Sequence, residues 1–269
     1  MAASVIADAA RAIGGTAGAV VEGVACDLRF SGDPVAARMT LEGFVNLDVI
    51  VQRAADRHRK LLVADMDSTM ITVECIDELA DYVGLKAEVS AVTEAAMRGE
   101  LDFGEALAAR VALLEGLPLA KAEECLRERV KLMPGSVELV TAFRAAGGYA
   151  VLVSGGFTLF AEPVGQQVGF DRVVANTLLH ENGALTGRTA QPIVDSATKK
   201  TVLLDELTKR GLPASASLAI GDGANDIAMI EAAGLGVAYH AKPRTEAAAD
   251  ARVHWGDLNV VRYAWGLAI

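Results

Sequence analysis

The stretch LLVADMDSTM, residues 61–70, is apolar for its first four positions and then places Asp65 and Asp67 two positions apart. A short apolar run followed by polar residues is typical of a buried strand that ends at an exposed edge. Two carboxylates so close together repel each other, and each raises the free energy needed to ionise the other. The stretch therefore predicts a buried strand that ends where a positive charge is bound.

Two later stretches have the same design, an apolar run that leads into a loop of small and polar residues. They are YAVLVSGG at residues 149–156 and SLAIGDGAND at residues 217–226. Strands that are apolar on both faces and alternate with helices indicate a doubly wound α/β fold with a covered parallel sheet. Such sheets bind ligands at the carboxyl ends of their strands. Those ends supply Asp65, Asp67, Ser154, Gly155, Asp222, Asn225 and Asp226.

Four of these residues are aspartates, and four carboxylates in one crevice need a cation. Hard oxygen ligands without histidine or thiolate favour Mg²⁺. Each feature alone has a plainer interpretation, because a single aspartate after a strand is usually a helix cap or a turn residue, and SGG and GDG are usually turns. Their combination in this order is what indicates a site. The chain has no complete GxGxxG after the strand and no GxxxxGK[ST], so dinucleotide-binding and P-loop folds are disfavoured.

The composition of the 269-residue chain argues against several other classes of protein. It is 52% hydrophobic, which is enough for a large core, and its net charge of −10 argues against a nucleic-acid binder. No run approaches eighteen uninterrupted apolar residues, so we expect no membrane-spanning segment. The cysteines Cys26, Cys75 and Cys125 are widely spaced without a CxxC pair, which predicts free thiols in a cytoplasmic protein.

The pattern of apolar residues changes along the chain. The first sixty residues predict an alanine-rich helix, a strand over residues 19–30, a helix near 34–43, a strand over 44–51 and a charged linker at 53–60. From Glu74 to about Met133 the apolar residues recur with helical spacing, which predicts a small helical subdomain after the first strand. After Pro134 helices and strands alternate, with a hairpin predicted around Glu181-Asn182-Gly183.

Several of these motifs resemble those of a known superfamily. DMDST, SGG, a later lysine and GDGANDIAM are similar, in this order, to the motifs of the haloacid dehalogenase (HAD) superfamily of phosphatases with an aspartate nucleophile. More narrowly, DMDSTMITVECIDELA, ARVALLEGLP, VLVSGGFT and GDGANDIAMIEAAGLGVAYHAKP resemble the phosphoserine phosphatase family. The resemblance covers roughly residues 61–245, and its motifs are specific as a set.

The resemblance has consequences for domain organisation and activity. It implies a HAD-like, Rossmannoid domain over residues 61–269 with a helical cap inserted at about 74–133. Residues 1–60 form a short α+β segment that would be a reduced ACT-like regulatory region. The implied reaction is hydrolysis of O-phospho-L-serine to L-serine and phosphate, the last step of serine biosynthesis.

The resemblance also assigns the chemistry to particular aspartates. By the family's pattern, Asp65 attacks phosphorus and forms an aspartyl-phosphate, while Asp67 protonates the leaving oxygen and later deprotonates water. Mg²⁺ would be held by the carboxylates of Asp65 and Asp222 and by the backbone carbonyl of Asp67. Asp226 would complete the site through water or by orienting Lys199.

A second group of candidates would bind the phosphate itself. Ser154 offers a hydroxyl, and Gly155 offers a backbone N–H with no side chain to block phosphate oxygens. Lys199 would supply the positive charge, although a lysine in the first turn of a helix is ordinarily solvated, and Lys200 is the alternative. Asn225 would contact the phosphate region as well.

Two residues of the predicted helical subdomain are candidates for binding the rest of the substrate. Arg110 lies on the same helical stripe as Phe103, Leu107 and Leu114. An arginine there either extends to solvent or faces a closed pocket and pairs with a carboxylate. The resemblance favours the substrate carboxylate as its partner. Glu74 could merely stabilise the N-terminus of a helix through its negative charge, but it matches the family position that binds the substrate ammonium.

Two other functions stay open on the sequence. One is a phosphatase or phosphotransferase of the same superfamily that acts on another small phosphomonoester. The other is a serine-responsive binding module in which residues 1–60 are the working part. As partners we expect a small-molecule substrate and a second copy in a homodimer, with neither nucleic acid nor membrane.

Overall fold

A computed structural model describes residues 2–266. The beginning of the described chain forms a small layer of two helices and a hairpin. Its elements are α1 (Ala3–Ala12), β1 (Thr16–Val21), β2 (Ala25–Arg29) and α2 (Pro34–Glu42). The strand predicted over residues 19–30 is wrong in its extent, because Gly23 takes a positive φ of 75° and turns the chain back into an antiparallel pair.

The second strand predicted in this segment does not form. Residues 44–51, all of them described, contain one isolated bridge, between Val49 and Arg252. Asn46 takes a positive φ of 61°, which interrupts an extended run. The Asp48 carboxylate accepts backbone hydrogen bonds from residues 254–256, so this stretch packs as a loop against the end of the chain.

The first strand of the main sheet leads directly into four helices. They follow β3 (Leu61–Ala64) and are α3 (Cys75–Asp81), α4 (Lys86–Met97), α5 (Phe103–Ala112) and α6 (Leu119–Arg129). The side chain of Asp102 accepts a hydrogen bond from the Glu105 backbone N–H and so caps the start of α5. These helices occupy the range predicted for the cap, and we call residues 74–133 the cap below.

Beyond the cap, both helices and strands follow to the end of the described chain. The elements are α7 (Ser136–Ala145), β4 (Tyr149–Phe157), α8 (Thr158–Val168), β5 (Arg172–Asn176), β6 (Leu178–Glu181), β7 (Ala184–Thr189), α9 (Ser196–Arg210), β8 (Ser217–Gly221), α10 (Ile227–Ala232), β9 (Gly236–Tyr239), α11 (Pro243–Ala248), β10 (Ala251–Val253) and α12 (Asn259–Trp265). The predicted hairpin around Asn182 is confirmed as β6 and β7.

The central sheet has six parallel strands in the order β10-β9-β8-β3-β4-β5. Leu61, Leu62, Val63 and Ala64 of β3 are completely buried, as expected for a strand covered on both faces. The chain leaves β3 to build one side through β4 and β5, and then returns to build the other through β8, β9 and β10. The predicted doubly wound fold is confirmed. The order in which strands are added to the sheet reverses beside β3, and such folds bind ligands at that point.

Two sets of hydrogen bonds hold the peripheral segments against the main domain. Leu185 in β7 exchanges backbone hydrogen bonds with Gly116 and Leu117 in the loop before α6, which ties the cap to the main domain. The Arg57 guanidinium makes two hydrogen bonds to Asp27, at 2.7 and 2.8 Å, and so connects the N-terminal layer to the linker.

None of the helices in residues 2–266 is long and apolar enough to cross a membrane.

Candidate active site

The carboxyl ends of β3, β4 and β8 meet beneath the cap, and most of the predicted site residues lie there. One pocket is lined from the sheet side by Asp65, Asp67, Gly155 and Asn225, and from the cap side by Glu74 and Arg110. Ser154, Lys199, Asp222 and Asp226 are buried among these residues. Apolar side chains of the cap, from Met97, Phe103 and Leu107, complete the wall.

Lys199 supplies the positive charge that we expected beside Asp65 and Asp67. Its Nζ lies 2.8 Å from Asp65 Oδ1 and 2.7 Å from Asp226 Oδ1, and the side chain is completely buried. Burial lowers the pKa of Lys199, but the charges of Asp226 and Asp65 outweigh it and raise the pKa above the ordinary lysine value. Lys200 is exposed on the same helix, so the structure places Lys199 rather than Lys200 in the site.

Asp65 is held in a fixed orientation. Its Oδ1 accepts a hydrogen bond from the Met66 backbone N–H at 2.8 Å in addition to the contact with Lys199. Burial raises the pKa of Asp65 well above the usual range, with a further contribution from the charge of Asp226, while Lys199 opposes the shift. A carboxylate in this environment gains from any additional positive charge at the site.

The carboxylates of Asp65, Asp222 and Asp226 form a cluster that can hold a metal ion. One oxygen from each lies within 4.8 Å of the others, and all three residues are buried. Asp226 is also bonded to the protein, because its Oδ2 accepts the backbone N–H groups of Asp222 and Gly223, both at 3.1 Å. The donor set consists of hard oxygens and carries excess negative charge, which fits a divalent cation such as Mg²⁺. The Asp67 side chain lies outside this cluster, as expected if it contributes its backbone carbonyl.

Asp67 connects the sheet to the cap. Its Oδ1 accepts the backbone N–H of Cys75, the first residue of α3, at 2.9 Å, and its Oδ2 accepts the Ser154 hydroxyl at 3.3 Å. Burial raises the pKa of Asp67, and these hydrogen bonds lower it in part. A raised pKa favours the protonated form of the carboxyl group, which is the form that general acid catalysis uses.

The carboxyl end of β4, residues 154–156, approaches Asp67 closely. Ser154 Oγ accepts the Gly156 backbone N–H at 2.8 Å, and a Cβ at Gly156 would lie only 2.5 Å from Asp67 Oδ2. The Ser154 hydroxyl also bonds Asp67, and its contact with phosphate stays a prediction. Gly155 lines the pocket as predicted.

Glu74 and Arg110 approach the pocket from the cap. Glu74 Oε1 accepts the Ser68 hydroxyl at 2.7 Å, and burial, followed by the charge of Asp67, raises the pKa of Glu74 to about 8. Arg110 is 3% exposed, so the alternative that it extends to solvent is wrong. No ion pair joins Glu74 to Arg110 in the described part of the chain, which leaves one acidic and one basic side chain beside the pocket.

The sequence predicted no role for three further residues that hold the site or the cap in place. Asn176 at the end of β5 donates from Nδ2 to the Gly155 carbonyl at 2.8 Å and accepts the Val194 backbone N–H at 2.7 Å, which fixes the carboxyl end of β4. A polar residue at the end of an apolar strand was the available signal. Lys242 bonds Glu94 of the cap at 3.0 Å and Arg244 donates to the Gly99 carbonyl at 3.1 Å, so the core also holds the far side of the cap.

Asn225 completes the pocket wall on the side of β8. It lies in the short turn after that strand, beside Asp226, and it is buried. Its Oδ1 has no hydrogen-bond partner among residues 2–266. A buried amide oxygen without a partner is uncommon, so Asn225 retains bonding capacity for a ligand.

Known proteins are similar to this chain in both sequence and fold. A phosphoserine phosphatase of Albidiferax ferrireducens is 47% identical over 205 residues, which cover 74% of this chain and 86% of that protein. A solved phospho-aspartyl intermediate analogue of phosphoserine phosphatase matches with a TM-score of 0.73 and 34% identity, over 76% of this chain and 98% of the other. A probable phosphoserine phosphatase from Vibrio cholerae matches with a TM-score of 0.74 and 39% identity, over 90% of this chain and 75% of the other.

The family model for haloacid dehalogenase-like hydrolases matches residues 62–231, a range that holds every predicted site residue. More than half of the chain lies in that match. With this fold and these relatives, the chain belongs to the haloacid dehalogenase-like hydrolase family and, within it, groups with the phosphoserine phosphatases.

Proposed function

We propose that this protein is a phosphoserine phosphatase, which hydrolyses O-phospho-L-serine to L-serine and phosphate. The observation that carries the proposal is the pocket that joins Asp65 to Glu74 and Arg110. Phosphoserine carries an ammonium and a carboxylate beside its phosphate, and the cap offers one group of opposite charge to each. The names of the relatives agree with this substrate.

In the first half of the reaction, the Asp65 carboxylate attacks phosphorus and the bond to the serine oxygen breaks. Asp67 gives its proton to that oxygen, so serine leaves as a neutral alcohol. In the second half, Asp67 takes a proton from water, which attacks the aspartyl-phosphate and releases phosphate. The raised pKa of Asp67 supports the acid role, because it favours the protonated form. Transfer of that proton to the serine oxygen then leaves the carboxylate that acts as the base.

Positive charge and N–H donors would hold the phosphate during these steps. Lys199 lies next to the attacking carboxylate, and Gly155 and Asn225 line the pocket beside it. The Ser154 hydroxyl orients Asp67. Because attacking and transferred groups are both negative, fixed donors of this kind lower the barrier by electrostatic stabilisation.

We propose Mg²⁺ as the cofactor, held by Asp65, Asp222 and the backbone carbonyl of Asp67. When bound, the ion supplies positive charge that offsets the negative charge of the phosphoryl group. Asp226 would act mainly by orienting Lys199, because its oxygens already bond Lys199 and two backbone N–H groups.

Three finer statements belong to the same proposal. The protein would act in serine biosynthesis, in the cytoplasm, where its free cysteines Cys26, Cys75 and Cys125 stay reduced. It would form a homodimer, which sedimentation would test. Residues 1–60 would be a reduced ACT-like segment, and their two-stranded sheet is too small to be stable without the contacts to the main domain.

The direct test is phosphate release from a panel of phosphomonoesters with Mg²⁺ and with chelator. We expect phosphoserine to be the best substrate by kcat/KM. Adding homoserine as an acceptor separates hydrolysis from transfer, since a phosphotransferase would produce phosphohomoserine. If another monoester is clearly preferred over phosphoserine, the proposed substrate is wrong although the chemistry stands.

A further inference from the structure

The guanidinium of Arg110 is anchored by two hydrogen bonds inside the cap. Its Nε donates to the Ala106 carbonyl one turn earlier in α5, at 2.9 Å, and its Nη1 donates to the Thr93 hydroxyl in α4, also at 2.9 Å. Its Nη2 makes no hydrogen bond to any of residues 2–266. Because the guanidinium is planar, two fixed nitrogens determine where the third one points.

The Thr93 hydroxyl has one hydrogen and two acceptors within reach. It lies 2.6 Å from Asp77 Oδ1 and 3.0 Å from the Val89 carbonyl of its own helix. The shorter distance and the charge of the carboxylate favour donation to Asp77. When the hydrogen points to Asp77, the lone pairs of the oxygen are available to accept from Arg110.

Asp77 itself is fixed from the other side. Its Oδ2 accepts the hydroxyl of Ser90 at 2.7 Å, so both of its oxygens are bonded to α4. The chain of hydrogen bonds runs from Ser90 through Asp77 and Thr93 to Arg110, and it crosses α3, α4 and α5. Burial lowers the pKa of Arg110, whereas the charges of Glu74, Asp77 and Asp67 raise it, so Asp77 also helps to keep the guanidinium charged.

We propose that Thr93 and Asp77 are positioning residues that aim the Arg110 guanidinium at the α-carboxylate of the substrate. This inference rests on the proposed function, in which Arg110 binds that carboxylate. Thr93 is 2% exposed and touches neither Asp65 nor Lys199 through a hydrogen bond, so its effect reaches the substrate only through Arg110. Its loss should therefore weaken binding of substrates with a carboxylate and leave others unchanged.

The experiment is steady-state kinetics of Thr93→Val on phosphoserine and on p-nitrophenyl phosphate, which has no carboxylate. Valine keeps the volume and branching of threonine but lacks the hydroxyl. We expect KM for phosphoserine to rise about 10-fold, the value of one hydrogen bond to a charged group, with kcat within about 2-fold. Kinetics on p-nitrophenyl phosphate should stay within about 2-fold. Thr93→Ser keeps the hydroxyl and should restore most of the affinity.

Three further variants separate positioning from a general effect on folding. Thr208→Val removes an exposed hydroxyl that donates to the carbonyl four residues earlier in α9 and contacts no part of the pocket, so the kinetics on both substrates should stay unchanged. Asp77→Asn keeps the size of the side chain and an acceptor oxygen, and should raise KM for phosphoserine about 3-fold. Arg110→Gln removes the group being positioned, so adding Thr93→Val to it should have no further effect.

The outcomes are distinguishable. Equal losses on both substrates for Thr93→Val, or an additive loss in the Arg110→Gln background, would show a structural role and overturn the inference. Unchanged kinetics on both substrates would overturn it too. If the parent enzyme shows no preference for phosphoserine, or if Arg110→Gln keeps that preference, the proposed function fails instead.

Discussion

The sheet end and the cap contribute to one pocket, but they satisfy their charges in different ways. At the sheet end, Lys199 bonds both Asp65 and Asp226, so opposite charges compensate each other within the protein. In the cap, Glu74 and Arg110 form no ion pair with each other within residues 2–266, and both line the pocket. The first arrangement suits chemistry common to every phosphomonoester, and the second leaves a pair of charges for a particular ligand.

The largest effect should come from the sheet end. Asp65→Asn keeps the shape of the side chain but removes the attacking charge and a metal ligand. We expect kcat/KM to fall by about 10⁴-fold or more on phosphoserine and on p-nitrophenyl phosphate alike, measured as phosphate release. Asp67→Asn is the matched control, because it should lose acid and base function while keeping Mg²⁺ affinity. Near-normal turnover by Asp65→Asn would rule out the covalent mechanism.

Removal of the metal should also abolish activity on both substrates. With only oxygen donors in the cluster, we expect activity to disappear with chelator and to return with Mg²⁺. Ca²⁺ should restore it poorly, since its larger and looser coordination shell disturbs the geometry of attack. Full activity after exhaustive chelation would contradict the metal assignment.

A smaller effect should distinguish the cap by its pH dependence. The pKa of Glu74 is raised to about 8, so at lower pH the side chain is mainly protonated and cannot pair with an ammonium group. The ratio of kcat/KM for phosphoserine to that for p-nitrophenyl phosphate should therefore rise with pH up to about 8, by at most about 10-fold per unit. The ratio cancels the titration of the aspartates, which both substrates share. A ratio that stays flat between pH 6 and pH 8, or one that is unaffected by Glu74→Gln, would show that Glu74 does not bind the ammonium.

The smallest effect concerns stability at the sheet end. Burial, then the charges of Glu74, Asp226 and Asp65, raises the pKa of Asp222 well above the usual range. A carboxyl whose pKa is higher in the folded state stabilises the fold at low pH, and that stability is lost as pH rises through the folded pKa. In metal-free protein at neutral pH, Asp222→Asn should therefore raise the midpoint of thermal unfolding, by about 2–4 °C, although it abolishes activity. The gain should shrink at pH 4, and a lower midpoint at neutral pH would contradict it.

The sequence predicted the sheet end well for a physical reason. β3, β4 and β8 are buried on both faces, so each appears as an uninterrupted apolar run, and the polar residues after each run must share one edge of the sheet. The same logic failed in residues 44–51, which are apolar enough for a strand but have no neighbouring strand to pair with in the described chain. Tertiary context, rather than local composition, decided that segment.

The cap was harder to predict in detail because its contacts join different helices. The helical spacing located Arg110 on an apolar stripe but left two directions open for its side chain. Thr93 fixes that direction and lies 17 residues from Arg110, in another helix. In the same way, Asn176 fixes the end of β4 at Gly155 and lies 21 residues from that glycine. Such partners depend on how elements pack, and a single sequence carries no periodic signal for them.

The division of labour between the two regions is tested most directly by one substitution, Arg110→Lys, measured on two substrates. Lysine keeps the charge but lacks the planar fork that binds a carboxylate with two hydrogen bonds. We predict that kcat/KM for phosphoserine falls by roughly 10²-fold, about 2.7 kcal/mol, while that for p-nitrophenyl phosphate changes only a few-fold. An equal loss on both substrates would show that Arg110 serves the structure or the chemistry, and that the cap does not select the substrate through this residue.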